Sequence, residues 1–112
     1  MTKPSDLLQM CADVFSFPET HCKGFYAKSI DGSVVGPLAP NADKWCSIGA
    51  IDAAASTLRA PFELTVKARA YLNKAGNCKG AIAHWNDSAT TTKTMVQQTF
   101  QKAADLARKD KQ

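Results

Sequence analysis

The sequence predicts a small single domain, residues 1–112, that is mainly α-helical with one β-hairpin, a small α+β fold. Apolar residues recur at intervals of three and four in several segments, which is the spacing of helices with one buried face. Residues 24–37 instead carry aromatic and β-branched residues around an Asp-Gly pair. The 112 residues are 45% hydrophobic and 21% charged, as is usual for a globular domain.

The first third of the chain predicts one helix and the hairpin. Ser5 is a suitable N-cap, and the buried stripe behind it is Leu7, Leu8, Cys11, Val14 and Phe15. The helix should end at Phe17-Pro18, because the residue before a proline disfavours helical geometry. Asp31-Gly32 predicts the hairpin turn, because glycine tolerates the positive φ of a tight turn.

A second helix is predicted from an Asn41 cap to Leu58, with about four helices packed around it. Its large apolar stripe is Trp45, Ile48, Ile51, Ala55 and Leu58. Gly49 also lies within this segment, where glycine costs about 1 kcal/mol relative to alanine. Close approach of another helix would explain Gly49.

Two further helices are predicted in the second half of the chain. Pro61 suits the first position of one helix, Gly76-Asn77 its end, and its expected buried side is Phe62, Val66, Ala70 and Leu72. Residues 80–85 fit a helical turn or a strand equally well. The last helix should begin near Thr92, before a frayed tail at 108–112, and bury Val96, Phe100, Ala103 and Ala107.

The net charge of +4 is concentrated in one part of the chain. Residues 64–85 contain no acidic residue, and their basic residues are Lys67, Arg69, Lys74 and Lys79. This stretch is either a solvated helix face or a docking patch for an anionic partner. Because Tyr71 is the only aromatic residue between Lys67 and Lys79, the pattern gives little support to RNA or DNA binding.

Two short motifs, Trp-Cys-x-x-Gly-Ala at 45–50 and Trp-Asn-Asp at 85–87, carry a family resemblance. Between and around them the same order holds for Gly24, Ala27, Asp31-Gly32, Pro40, Ala42, Thr92, Val96 and Ala103. From about Leu7 to Ala107 the chain resembles a family of small phage and actinobacterial proteins, domain of unknown function 6197. The resemblance implies no activity, but it implies one compact unit in a bacterial or phage-infected cytoplasm.

The sequence departs from the family at Met95, where an acidic residue often completes a capping box with Thr92. The last helix should therefore start less firmly.

Cys46, His84 and either Asn86 or Asp87 are the candidates for catalysis, in the chain order of papain-like enzymes. Counting from an Asn41 cap, Cys46 lies more than one turn into its helix, beyond the strongest part of the helix dipole. Its apolar neighbours also suggest a buried thiol with a raised pKa. We therefore assign no catalytic residue, and a cysteine hydrolase is the alternative.

The remaining motif residues are interpreted as structural. Trp45, Gly49 and Trp85 should belong to the packing, while Asn86 and Asp87 should bond the nearby backbone and hold a turn. A surface recognition corner is the alternative for the Trp-Asn-Asp motif. Only the adjacent His21-Cys22 pair shows close metal-ligand spacing, and no glycine-rich phosphate loop follows a strand, so we expect neither a metal nor a cofactor.

The function expected from the sequence is that of a small non-catalytic phage-type protein that binds and modulates a bacterial host protein, for instance as a defence inhibitor. The basic stretch at 67–79 would be its contact; weak nucleic-acid binding there is a further alternative. The first residues lack the apolar core of a secretory signal, and no apolar run approaches the length of a membrane span. A cytoplasmic protein with reduced cysteines is expected.

Overall fold

The computed structural model describes residues 1–112 and contains five helices and a three-stranded antiparallel sheet. In chain order the elements are α1 (Pro4–Val14), β1 (Ala27–Lys28), β2 (Val34–Val35), β3 (Lys44–Trp45), α2 (Ser47–Thr57), α3 (Phe62–Gly76), α4 (Ile82–Asp87) and α5 (Lys93–Lys109). The small α+β fold class is confirmed. None of the helices combines the length and apolar character needed to cross a membrane.

The core lies where α1 packs against α2, α3 and α5. The predicted buried stripe of α1 is confirmed except at Val14, which is half-buried. All four residues predicted for the buried face of α5 are fully buried. Phe15 of the α1 C-cap and Phe100 of α5 meet at this interface with ring centroids 5.5 Å apart.

The two ends of the chain bond to each other in the structure. The N-cap of α1 is Lys3, whose backbone N–H donates to the Asp6 carboxylate at 2.8 Å. Ser5 is buried inside the first turn, where its hydroxyl donates to the backbone oxygen of Gln112 at 3.1 Å. Helix α5 continues to Lys109, and the Gln112 N–H donates to Ala107. The predicted Ser5 cap is therefore wrong, because the helix begins before Ser5. Fraying of the tail at 108–112 stays a prediction.

The predicted hairpin is present, and a third strand extends it into a sheet. Ala27 pairs with Val35 across the β1–β2 hairpin and with Trp45 of β3 on the other side. Gly32 has a φ of +88° in the turn, as expected for the Asp-Gly pair. The strand order is β2-β1-β3, so β2 is an edge strand.

The segment predicted as the start of the second helix is β3. The true N-cap of α2 is Cys46, with an extended backbone at φ −78° and ψ 173°. Trp45 donates its N–H to Thr20 and accepts the N–H of Cys22, and these long-range bonds hold it in a strand. The prediction of a helix from Asn41 that includes Trp45 and forms the centre of the fold is therefore wrong.

Gly49 does allow a close approach, although not of a helix as predicted. A Cβ atom at this position would lie 2.1 Å from the carbonyl oxygen of Tyr26. That oxygen also accepts the Cys46 N–H at 3.1 Å. Gly49 therefore lets the backbone entering β1 rest on the first turn of α2.

Helix α3 buries a different face from the one predicted. Phe62 and Val66 are 72% and 51% exposed, whereas Thr65, Ala68 and Leu72 are buried. Only Leu72 of the predicted set is buried, because contact with α1 and α5 selects the other apolar stripe of this helix. Pro61 is the N-cap and not the first helical residue, while Asn77 ends the helix in a left-handed conformation as expected.

The undecided segment 80–85 contributes to α4, a short helix. Helix α5 begins after Thr92, whose hydroxyl accepts the Met95 N–H at 3.1 Å. The predicted cap at Thr92 is confirmed.

Candidate functional site

Asn86 connects three parts of the fold that are distant in sequence. Its amide oxygen accepts hydrogen bonds from the Ser47 backbone N–H at 2.9 Å, from the Ser47 hydroxyl at 2.7 Å and from His21 Nε2 at 2.7 Å. Its amide nitrogen donates to the Cys22 carbonyl at 3.2 Å. Asn86 is 1% exposed. One buried side chain of α4 therefore holds both the start of α2 and the segment at 21–22.

Asp87 extends this network to the turn before β1. One of its carboxylate oxygens accepts the Asn86 amide N–H at 2.9 Å and the Gly24 backbone N–H at 3.0 Å. Gly24 has a φ of +82° and turns the chain toward β1. The prediction that Asn86 and Asp87 bond the nearby backbone is wrong, because the backbone groups that they bind belong to Cys22, Gly24 and Ser47, which lie 39 to 64 positions away in sequence.

Both tryptophans of the motifs are half-buried and pack against the core. The indole N–H of Trp45 donates to the Pro37 carbonyl at 3.1 Å. This bond fixes the chain that leaves β2.

Cys46 lies at the N-terminus of α2, so its predicted position inside a helix is wrong. Its sulfur accepts the Gly49 N–H at 3.3 Å and caps the helix. Burial is the main cause that raises the pKa of Cys46, and nearby Asp87 raises it further. Hydrogen bonds from the Gly49 and Ile48 backbone oppose this effect but do not outweigh it. The thiol is therefore kept protonated.

The histidine that contacts Asn86 is His21 and not His84. His84 is exposed on α4, and no hydrogen bond joins either histidine to Cys46. Burial lowers the pKa of His21, and the bond to Asn86 opposes that effect. Its ring packs edge-on against Phe15, with centroids 5.6 Å apart. From the sequence, His21 was a candidate only for metal binding. Its hydrogen bond to Asn86 could not be predicted, because it depends on the tertiary structure.

A cavity of about 360 Å³, here called the hairpin pocket, lies between the β1–β2 hairpin, the start of α2 and α4. Cys46, Asn86 and Asp87 are among its lining residues, so three of the four predicted catalytic candidates meet there. Apolar side chains dominate the rest of the lining, including Phe25, Tyr26, Val34, Val35 and Ile48. The sequence did not predict these walls as a site.

The hairpin surface, defined here as Phe25, Tyr26, Ile30, Val34 and Leu38, is apolar and open to solvent. Exposure of these residues ranges from 48% to 83%. Three of them, Phe25, Tyr26 and Val34, also line the hairpin pocket. Through these three residues the hairpin surface adjoins the hairpin pocket.

The basic residues at 67–79 are spread over α3 and the turn after it. Lys67, Lys74 and Lys79 are exposed. Arg69 instead bonds to Asp52 of α2 at 3.2 Å, so its charge is partly balanced within the protein. Partner binding by this stretch stays a prediction. No group of three or more His, Cys, Asp or Glu side chains is arranged to hold a metal ion.

The fold and the pocket define a small α+β protein in which the Trp-Cys-x-x-Gly-Ala and Trp-Asn-Asp motifs meet beside one apolar cavity. The chain belongs to a family of unknown function (DUF6197), whose model matches residues 1–106. The resemblance seen in the sequence is thereby confirmed. No curated protein and no solved structure matches the chain.

Proposed function

We propose that the protein is a small non-catalytic interaction protein that binds and modulates a protein of a bacterial host. The observation that carries this proposal is the hairpin surface. Five of the ten exposed large apolar side chains of the chain lie within residues 25–38. Apolar surface concentrated beside a pocket is typical of a binding site. Its setting would be the cytoplasm of a phage-infected or prophage-carrying bacterium, where inhibition of a defence protein is one role.

Burial of this surface supplies the driving force for association. Fully burying a side chain of the size of Ile30 or Val34 is worth about 1.5–3 kcal/mol relative to leaving it exposed. A partner that covers most of the hairpin surface would therefore offset much of the roughly 4–15 kcal/mol cost of association. The partner surface should be apolar where it meets these residues.

The open edge of β2 favours an extended segment as the element that the partner presents. β2 pairs with β1 on one side only, so its other edge offers unpaired main-chain groups. Val34 and Val35 of this strand also line the hairpin pocket. An extended segment can pair with β2 while it inserts an apolar side chain into the pocket.

The test is capture of a partner from bacterial lysate at near-physiological salt, with variants that separate two surfaces. Ile30→Ser/Val34→Ser should abolish capture of a stoichiometric partner. Phe62→Ser/Val66→Ser makes the same kind of change at exposed positions of α3 and should leave capture intact.

The charge-reversal variant Lys67→Glu/Lys74→Glu/Lys79→Glu tests the contact predicted from the sequence. If this variant loses capture while Ile30→Ser/Val34→Ser keeps it, the contact lies on α3 and the turn after it, and not on the hairpin surface. Absence of any stoichiometric partner of the unchanged protein would contradict the proposal.

A further inference from the structure

Cys22 and Cys46 lie side by side on two extended segments that pair in parallel. The Trp45 N–H donates to Thr20 at 2.9 Å and the Cys22 N–H donates to Trp45 at 3.0 Å, a pattern that sets His21 opposite Trp45. The next residue on each segment is a cysteine. Paired strands lie about 4.8 Å apart, within the roughly 4.4–6.8 Å range of Cα separations that a disulfide spans.

The two side chains lie on the same side of this pair. The His21 ring packs against Phe15, and successive residues of an extended segment alternate, so Cys22 faces away from that ring. Its sulfur lies 3.5 Å from the carbonyl oxygen of Phe25, which lines the hairpin pocket. Cys46 lines the same pocket.

The electrostatics agree with this placement. Burial is the main cause that raises the pKa of Cys22 to about 11, and proximity to Cys46 is the next. Asp87 raises the pKa of both thiols, so both lie near the same carboxylate. Burial also raises the pKa of Cys11 and of Cys78, but no other thiol contributes to either effect.

We propose that Cys22 and Cys46 are a dithiol site that a hydroperoxide oxidises to an intramolecular disulfide. Hydrogen peroxide enters the hairpin pocket, and the Cys46 sulfur attacks one peroxide oxygen, which yields a sulfenic acid and one water. The Cys22 sulfur then attacks the sulfenic sulfur, forms the S–S bond and releases a second water. The two thiols together lose two electrons and two protons, and the peroxide accepts both.

The disulfide would join the segment before β1 to the start of α2, and both carry residues of the pocket wall. The thiolate is the reactive form, so the reaction should be slow at neutral pH and faster as the pH rises. This inference stands on the pairing geometry and does not depend on partner binding.

The test is peptide mapping of the full-length folded protein after exposure to hydrogen peroxide at pH 7 and pH 9. Remaining thiols are alkylated, and the chain is cleaved with trypsin and a glutamate-specific protease. This cleavage separates Cys11 from Cys22, because Glu19 lies between them. The expected product is peptide 20–23 joined to peptide 45–59 by a disulfide, with a mass two hydrogens below the sum of the two peptides. It should form faster at pH 9 than at pH 7, and dithiothreitol should reduce it back to the two separate peptides.

Cys78→Ala is the matched control and should form the same link, whereas Cys46→Ala should leave Cys22 alkylatable. Circular dichroism before and after oxidation checks that the protein stays folded. Recovery of Cys22 and Cys46 as free thiols, or their oxidation to sulfinic acids without a link, would overturn the proposal. A link that forms only in urea would also overturn it.

Discussion

The amide oxygen of Asn86 lies 2.9 Å from the backbone nitrogen of Ser47 and caps α2 from another helix. The first N–H groups of a helix have no partner within it. Cys46 satisfies the Gly49 N–H from within the same segment, and Asn86 satisfies the Ser47 N–H across about forty residues of sequence. The Trp-Cys-x-x-Gly-Ala and Trp-Asn-Asp motifs therefore both cap the N-terminus of α2, and this N-terminus forms part of the hairpin pocket wall.

Removal of the Asn86 side chain should strongly destabilise the protein. Asn86→Ala leaves the Ser47 N–H, the Ser47 hydroxyl and His21 without their acceptor in a buried site. An unsatisfied buried polar group costs about 1–3 kcal/mol, so we expect the free energy of unfolding to fall by roughly 2–4 kcal/mol. Urea denaturation measures this change. The exposed Asn41→Ala is the control, and equal effects of the two variants would contradict the role of Asn86.

Substitution of Gly49 should destabilise the protein through a steric clash. In Gly49→Ala the new Cβ would lie 2.1 Å from the Tyr26 carbonyl oxygen, which belongs to backbone and cannot rotate away. Forced shifts in a packed region cost about 1–3 kcal/mol. In the matched control Gly36→Ala the Cβ meets no atom within 4 Å. Thermal unfolding should show a clear fall in Tm only for Gly49→Ala, and an unchanged Tm would show that the backbone at Tyr26 is free to move.

Cys46 should react slowly with alkylating reagents in the folded protein. Burial raises its pKa above the ordinary value, so little thiolate is present at pH 7. Mass spectrometry after iodoacetamide treatment should show a low rate at pH 7 that is still rising with pH beyond the ordinary thiol pKa of about 8.5, and fast reaction in urea. Rapid alkylation of folded Cys46 at pH 7 would reveal a stabilised thiolate and revive the cysteine hydrolase alternative.

The stability of the protein should depend on His21 in mildly acidic solution. Burial lowers the pKa of His21 in the folded state below its value of 6.5 in the unfolded chain. The unfolded state therefore binds a proton first. The contribution of His21 to stability is fully present above about pH 6.5 and is lost as the pH falls through the lower, folded-state pKa.

Urea denaturation between pH 7.5 and pH 5 tests this dependence against His21→Gln, which keeps a hydrogen-bond donor but does not titrate. As the pH is lowered across this interval, the unfolding free energy of the unchanged protein should fall relative to that of His21→Gln. A constant difference would show that His21 has the same pKa in both states.

Local signals in the sequence predicted the parts of the fold that local interactions decide. Asp31-Gly32 formed the expected turn because its conformation depends on those two residues. The long stripes around Phe15 and Phe100 gave the correct buried faces because their apolar residues recur at helical spacing on one side of each helix. Thr92 marked the start of α5 because its own side chain caps the helix, and Asn77 marked the end of α3 because its own backbone adopts the left-handed conformation.

The candidate site was only partly predictable. The sequence singled out Cys46, Asn86 and Asp87, and all three line the hairpin pocket. It paired them with His84, which is exposed, and missed His21, which binds Asn86. Chain order carries no information on which of two histidines reaches a buried amide.

The sequence by itself determined that the chain forms a small α+β domain with a hairpin, and which faces of α1 and α5 are buried. Only the tertiary structure decided that Trp45 lies in a strand, that Cys46 caps α2, and that α3 buries Ala68 instead of Val66. The physical reason is the range of the deciding interactions. Apolar spacing and turn chemistry act within a few residues, whereas these three outcomes depend on hydrogen bonds and packing between residues far apart in sequence.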